Sequence, residues 1–518
     1  MKSYKAFLFL ILVASISLGS CSGLPQGNSG GGGTSTANVS LVLVSDTPSA
    51  TLGLVSFKVV PTAVTLTPTT GTATTFNING GNGFSYDLVR LQSDSGFLGT
   101  VPGVTTGTYN TVAITFSGAT LAFFNGTGSP ITNLSQPCLN GTVCIASFVG
   151  PFTSTITTSQ AVTSNTGIGI DVNLANSLTV SGSTLTLNLS NSGTLPVTTA
   201  FSLPIANSNL ASGQLDLIED VTGTVSNVSN SAVTVTPSSL MNSFPITAST
   251  ISTTGYDSDP TNTLCPSGTT ALTSCISNGQ ASSMDAILNA DGTFSVQEIE
   301  PLLANPIVDT VEGTVVSLAS TTNANNLSQF GMVITNLIPA ATNSLIGSLS
   351  VTNQLNVTLS NGSISYVDSK GLPVASQFPT SYGTFTNATN TSGLNLGQTV
   401  SVHVTAFTAA NSTTFASATA NTVFLRWSRF SAGAAIASTP TYTINALPGQ
   451  FGFNQGITFV VQTFTGTPGL DGVTNLAGVT STANLSVGQA VAMRTLFIGG
   501  PGGDTLTPAF FAAKVRQR

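Results

Sequence analysis

Apolar and polar residues alternate with a period of two along most of the chain. Val39-Ser-Leu-Val-Leu-Val44 is a run stopped by Asp46-Thr47-Pro48. Val55, Phe57 and Val59 alternate with small or polar neighbours, and so do Val64 and Leu66. Val112, Ile114 and Phe116 fall on one face of a segment beginning at Tyr109, with Thr111 and Thr115 on the other. Leu185, Leu187 and Leu189 alternate with Thr184, Thr186 and Asn188. Successive strand side chains point to opposite faces, so this is the signature of strands with one dry and one wet side. Gly, Asn and Ser interrupt it about every ten residues, the turn spacing of an antiparallel sandwich. Tyr86 to Leu91 is expected to be one more strand. Asp46 is expected to cap its turn rather than bind a ligand.

Further on, segments recur. Val221-Thr-Gly-Thr-Val225 returns as Val311-Glu-Gly-Thr-Val315. Leu394-Asn-Leu-Gly-Gln-Thr-Val400 returns as Leu485-Ser-Val-Gly-Gln-Ala-Val491, each copy followed by a β-rich stretch. Asp291-Gly-Thr-Phe-Ser-Val-Gln-Glu298 has the character of the same closing stretch in an earlier copy. Internal repetition of this kind points to tandem units. The expected fold is all-β: an N-terminal antiparallel β-sandwich over 38–204, then three small β-barrel or sandwich repeat units at 215–301, 307–429 and 430–518.

Composition narrows the partners. Charged residues make up only 6% of 518, against about 25% in an ordinary domain. The polar surface must therefore come from Ser, Thr, Asn, Gln and Gly. Net charge is −7. No Lys or Arg occurs between Arg90 and Lys370, and the carboxylates concentrate between Asp216 and Glu312. Phosphate binding needs clustered cations, so a nucleic-acid partner is excluded. The basic cluster at the end, Lys514, Arg516 and Arg518, is expected to be a solubilising tail. No apolar run beyond the N-terminus approaches the ~20 residues of a spanning helix.

Lys2 and Lys5 precede an apolar stretch from Ala6 to Ser17, and Leu18-Gly19-Ser20-Cys21 follows. This resembles the bacterial lipoprotein signal. The resemblance implies a signal peptide over 1–20, lipidation of Cys21, and a membrane partner reached through that lipid. Ser22, rather than Asp, implies the outer membrane. On this resemblance residues 21–37 are expected to be a lipidated Cys and a Gly/Ser tether with a reach of roughly 20–25 Å. The tether contains Gly27-Asn28-Ser29-Gly30-Gly31, a match to G-x-S-x-G. A nucleophile elbow needs a strand before it and a helix after it, and a glycine run supplies neither.

Val42-Leu43-Val44-Ser45-Asp46-Thr47-Pro48, the Val55 to Leu66 strands, Tyr86-Asp87-Leu88-Val89-Arg90-Leu91 and Gly107-Thr108-Tyr109-Asn110-Thr111-Val112 occur in an order that resembles the bacterial domain of unknown function 4382 family. It covers about a quarter of the chain, with Thr47 where a small residue is the family's pattern. It implies a β-sandwich on a lipoprotein and carries over no catalytic residue. The downstream units are similar to uncharacterised bacterial repeats with OB-like barrels, although the third lacks the Gly-Thr-Val opening.

Candidate chemistry is sparse. Cys138, Cys144, Cys265 and Cys275 are an even set in an exported chain, which suits disulfides. Three connectivities are open, of which the local pairing is the simplest. Zinc would need tighter Cys spacing or histidines, and the chain has one histidine, His403. It sits in an alternating strand and is expected to face solvent. Asp257 and Asp259 resemble the opening of a calcium loop, but Asn262 and Gly268 stand where an EF-hand has Gly and Glu; a looser site would recruit Asp285 or Asp291. Glu298 and Glu300 are expected on the wet face of a strand, although their spacing of about 7 Å would suit glycosidase carboxylates. Lys58 is expected at an exposed edge or on the wet face. Trp427, the sole tryptophan, is either a sugar platform or a packing residue at a domain junction. No metal and no cofactor is called for. The functional expectation is a non-enzymatic, lipid-anchored envelope protein acting as a surface binding or structural module. A carbohydrate-binding or adhesive protein, engaging a glycan or an envelope protein, and a hydrolase built on scattered acids are the alternatives.

Overall fold

The computed structural model describes residues 35–48, 52–125, 131–139, 143–190, 195, 197–199, 214–216, 220–237, 244–258, 263–266, 268–302, 308–318, 329–340, 342–369, 371–374, 394–412, 414–438, 440–445, 447–451, 459–466, 472–479, 481–497 and 510–517. The signal segment, Cys21, the tether before residue 35, Asp259, Lys370 and Arg518 lie outside them. Residues Thr36–Arg518 form one unit, and its described regular elements are nearly all strands.

The first body contains β1 (Thr36–Ser45), β2 (Gly53–Pro68), β3 (Thr74–Asn77), β4 (Tyr86–Asp87), β5 (Gly96–Thr105), β6 (Gly107–Phe124), β7 (Gln136–Leu139), β8 (Val143–Val162), β9 (Thr166–Val172), the hairpin β10 (Leu178–Ser181) and β11 (Thr184–Leu187), and β12 (Val197–Thr199). One sheet runs β12-β9-β1-β5 and the other β3-β2-β6-β8-β7, with β4 joined to β2. The alternation gives each sheet one apolar face, and the two faces close on each other. Leu41, Leu43, Leu98 and Ile170 pack against Phe57, Val64, Ile114 and Phe116 in one core. This is the expected sandwich. β1 is dry on both sides: Val42 and Val44 belong to the core of the next body. It runs antiparallel to β5 and parallel to β9.

Tyr86 to Leu91 departs from the expected strand. Only Tyr86 and Asp87 pair, and Arg90–Gln92 is a 3-10 turn. The Asp87 carboxylate is the cause. Its Oδ1 accepts the backbone N–H of Phe57 at 2.9 Å and of Val89 at 3.0 Å, so the chain folds around the acid.

The second body contains β13 (Leu215–Asp216), β14 (Val221–Ser226), β15 (Ala232–Pro237), β16 (Ile246–Tyr256), β17 (Ala281–Leu288) and β18 (Phe294–Pro301). Its pairings run β14-β15-β16-β18-β17 and return to β14, with β13 added on β17. The third is a closed barrel of β19 (Thr310–Leu318), β20 (Gln329–Ile338), β21 (Gln354–Val367), β22 (Thr399–Thr408) and β23 (Ala416–Arg426), in the order β19-β20-β21-β23-β22. The fourth contains β24 (Ser428–Ala437), β25 (Thr441–Asn445), β26 (Phe459–Gln462), β27 (Asn475–Ala477), β28 (Ala490–Phe497) and β29 (Phe510–Gln517), and again closes as β24-β25-β26-β29-β28. In each ring the third strand pairs parallel with the last one in chain order: β16 with β18, β21 with β23 and β26 with β29. The three repeat units are therefore three copies of one topology.

The recurring motifs are the joints of these rings. Gly223 and Gly313 lie where a Cβ would stand 2.1 Å from the Thr236 carbonyl oxygen and 2.3 Å from that of Val333. The third ring has Ala432 there, and its β24–β25 pairing stops one residue later, at Gly433. The Gly-Gln turn occurs in all three rings, including Gly279-Gln280, where the sequence pattern hides it. Gly279, Gly397 and Gly488 have φ of 84°, 84° and 81°. The following glutamine reaches back: Oε1 of Gln280, Gln398 and Gln489 accepts the N–H of Ser277, Asn395 and Ser486 at 3.0, 2.7 and 2.9 Å.

Both local disulfides are formed, Cys138–Cys144 between β7 and β8 and Cys265–Cys275 in the loop before β17. They belong to an oxidising, exported environment. No helix among the described residues is long and apolar enough to cross a membrane.

Candidate functional site: a buried charge hub

The Gly-Gln turns put the three rings in register with one another. Val221, Val311 and Phe430 are equivalent, paired with Met284, Val402 and Met493 respectively. Outward-facing positions follow from the same registers. Asp220, Asp285, Glu298 and Glu300 of the first ring match Arg429, Arg494, Lys514 and Arg516 of the third. The middle ring has Thr310, His403, Thr422 and Phe424 in those places. One face is thus acidic in the first ring, neutral in the second and basic in the third.

The acidic and basic faces meet. Arg429 Nη2 lies 2.9 Å from Asp220 Oδ2, and Arg494 Nη1 lies 3.3 Å from Asp285 Oδ2. The sandwich and the middle ring add to the contact. Arg429 Nε donates to Asp94 Oδ2 at 2.8 Å, and Lys514 Nζ is 3.6 Å from Asp94 Oδ1. Arg90 Nη1 donates to Glu312 Oε1 at 3.0 Å. Arg426 pairs with Asp368 and lies 3.5 Å from Glu312 Oε2 and 3.9 Å from Asp220 Oδ1. Trp427 lies beneath Arg494, whose guanidinium carbon is 5.1 Å from the ring centroid. None of Arg90, Asp94, Asp220, Asp285, Glu300, Glu312, Asp368, Arg426, Arg429, Arg494, Lys514 and Arg516 is more than 8% exposed.

Burial opposes every one of these charges, and neighbours decide the outcome. For Asp94, desolvation pushes the pKa up, but Arg429, Lys514, Arg494 and Arg90 together bring it down to about 2. For Arg426, desolvation pulls down, yet Asp368, Asp220, Glu312 and Glu300 hold it well above the ordinary arginine value. Arg90 is lowered, by burial and then by the like charge of Arg429. Asp87, at the edge of the hub, is raised by burial in spite of its three hydrogen-bond donors.

Several expectations change here. Lys514 and Arg516 are not a solubilising tail: each is 1% exposed on β29. Glu300 is fully buried and Glu298 half-buried, because the outer face of β18 is turned toward the other bodies. Lys58 is half-buried inside the β2 sheet, opposite Asp87, and desolvation lowers its pKa. His403 is half-buried, 5.0 Å from the Phe424 ring. Trp427 is 1% exposed at the junction of the second and third rings. Asp257 accepts the Ser258 N–H at 2.8 Å, while Asp285 is committed to Arg494 and Asp291 to the Thr293 backbone and hydroxyl. Among the described residues, no group of three or more His, Cys, Asp and Glu side chains is placed to hold a metal. The hub arginines and Asp94, Asp220 and Asp368 escaped sequence reasoning. The signal that would have found them is the segregation of acids into 216–312 and of cations into 426–516, two complementary blocks in a chain with few charges.

No protein-family model matches the chain, and no curated protein matches it.

What this arrangement does chemically is hold bodies in place. Breaking a buried pair is costly because the remaining charge is stranded, whereas an apolar replacement of the whole set is often as stable. Displacing one body against another would leave members of this network unpaired.

Proposed function

We propose that the chain is a bacterial envelope lipoprotein, exported and held to the outer membrane by a lipid on Cys21, whose β-units serve as a rigid, non-catalytic binding or structural module. The hub is the observation that supports this best. The described arginines and lysines are all in it, apart from half-buried Lys58. Asp94, Asp220, Asp285, Glu312 and Asp368 are engaged in ion pairs where the β-bodies meet rather than presented at a cleft. The disulfides support export, and the shared ring order supports kinship with OB-like repeats. Sandwiches and small barrels bind through loops and sheet faces, and a fixed geometry lets several such surfaces act together.

Metabolic labelling with a fatty-acid analogue tests the anchor. The wild-type chain should carry label and sediment with membranes, and Cys21→Ser should do neither. Label-free wild-type protein in the medium would overturn the reading. Protease treatment of intact cells then separates a surface-facing module, which is cleaved, from a periplasmic one, which is protected until lysis.

A further inference from the structure

A small cavity, about 20 Å³, lies where the sandwich and the second and third rings meet. It has room for one or two water-sized bodies. Arg90, Glu312, Thr335, Trp427 and Arg429 are on its wall. Three polar atoms of these side chains make no hydrogen bond: Arg90 Nε, Thr335 Oγ1 and Trp427 Nε1. Their residues are 6%, 5% and 1% exposed, so bulk solvent does not serve them. An arginine N–H and an indole N–H can only donate, and a threonine hydroxyl can do so. Buried donors are seldom left unmade.

Asp87 is on the wall as well, and both acids are already engaged. Glu312 Oε1 takes Arg90 Nη1 at 3.0 Å, and Oε2 faces Arg426 Nε at 3.5 Å. Asp87 accepts from Phe57, Val89 and Ser56. Arg90 and Arg429, both on the wall, repel each other. What would complete the site is a body that accepts from all three donors and carries negative charge between the two guanidinium groups. A water accepts two hydrogen bonds and brings protons that need acceptors of their own.

We propose that this cavity binds one small monovalent anion of chloride size, held by Arg90, Thr335 and Trp427. The anion joins the sandwich to the second ring and its link to the third, since Arg90 comes from the sandwich, Thr335 from β20 of the second ring and Trp427 from the residue between β23 and β24.

Bromide tests it on the full-length chain, exchanged against gluconate at constant ionic strength. Trp427 is the only tryptophan, so the indole signal comes from the wall of this cavity. Bromide should quench it to a plateau, and chloride or bromide, but not gluconate, should raise Tm. Crystals grown in bromide should show an anomalous peak at the three donors. Thr335→Val should raise the half-saturating bromide concentration about two- to tenfold, the worth of one hydrogen bond, and Thr335→Ser should restore it. Quenching that is linear and identical in wild type and Thr335→Val, or a wild-type crystal with no anomalous peak in the cavity, would overturn the assignment in favour of water.

Discussion

Asp285 and Arg494 hold the same place in two copies of one ring, and they face each other at 3.3 Å across the hub. The same is true of Asp220 and Arg429, at 2.9 Å. A single topology has been given opposite charges at matching positions, so the first and third rings recognise each other through the faces they share. The middle ring, neutral at those positions, cannot take either place without leaving a buried charge unmatched.

Removing one partner should therefore cost more than the pair is worth. Arg494→Met strands Asp285 and weakens the field at Asp220, an expected loss of about 3–5 kcal/mol. Asp285→Asn keeps the Oδ1 that accepts the Asp220 N–H at 2.7 Å. It should destabilise the wild type yet recover part of the loss in the Arg494→Met background. Urea unfolding of the four proteins reads the sign change, and simple additivity would show that the two side chains do not act together.

The three Gly-Gln turns have nearly the same backbone and different surroundings. Alanine at Gly279 or Gly488 meets nothing within 4 Å, and only the left-handed φ is penalised, by about 1–2 kcal/mol. Alanine at Gly397 would bring its Cβ within 2.1 Å of Phe451 Cδ1 and 2.7 Å of Phe451 Cα. Gly397→Ala should be clearly the most damaging of the three in thermal unfolding, because it separates the second ring from the third. Equal losses would mean that Phe451 moves aside without penalty.

Acid should act on the hub late. Asp94 is depressed to about 2 in the folded chain against about 3.9 unfolded. Its contribution is complete above the unfolded value and fades as pH falls from about 4 to 2. Asp94→Asn should lower stability at pH 7 and flatten its fall over that window. Asp87 has the opposite sign: its folded pKa is raised, so its contribution is greatest when protonated and is lost as pH rises through that value. Asp87→Asn can still accept from Phe57 and Val89 and donate to Ser56. It should be no less stable than wild type at pH 7, as acid titration followed by Trp427 fluorescence would show.

Alternation made the strands legible, because a half-buried strand writes its two faces into neighbouring letters. The cysteine pairs were legible because their partners are near in sequence. Two Gly-Gln turns could be seen, but the third is followed by Ala281, Ser282 and Ser283 rather than a valine strand, and its identity is carried by hydrogen bonds. The hub was illegible for a different reason. Arg429 and Asp94 are 335 residues apart, and each taken alone reads as an ordinary surface charge. Lys514 and Arg516 read as a tail for the same reason, since nothing local says that β29 lies against another body.

β1 is dry on both faces and parallel to β9. A load entering the body from its N-terminal side arrives at Thr36, the first residue of β1, and pulls along the strand axis. Seven consecutive residues, Val39 to Ser45, are in register with Thr166 to Val172. Parallel strands drawn lengthwise must slip past each other with all their hydrogen bonds strained together, not one at a time. A body suspended by that end would resist traction through shear, with a strand covered on both faces as the bearing member.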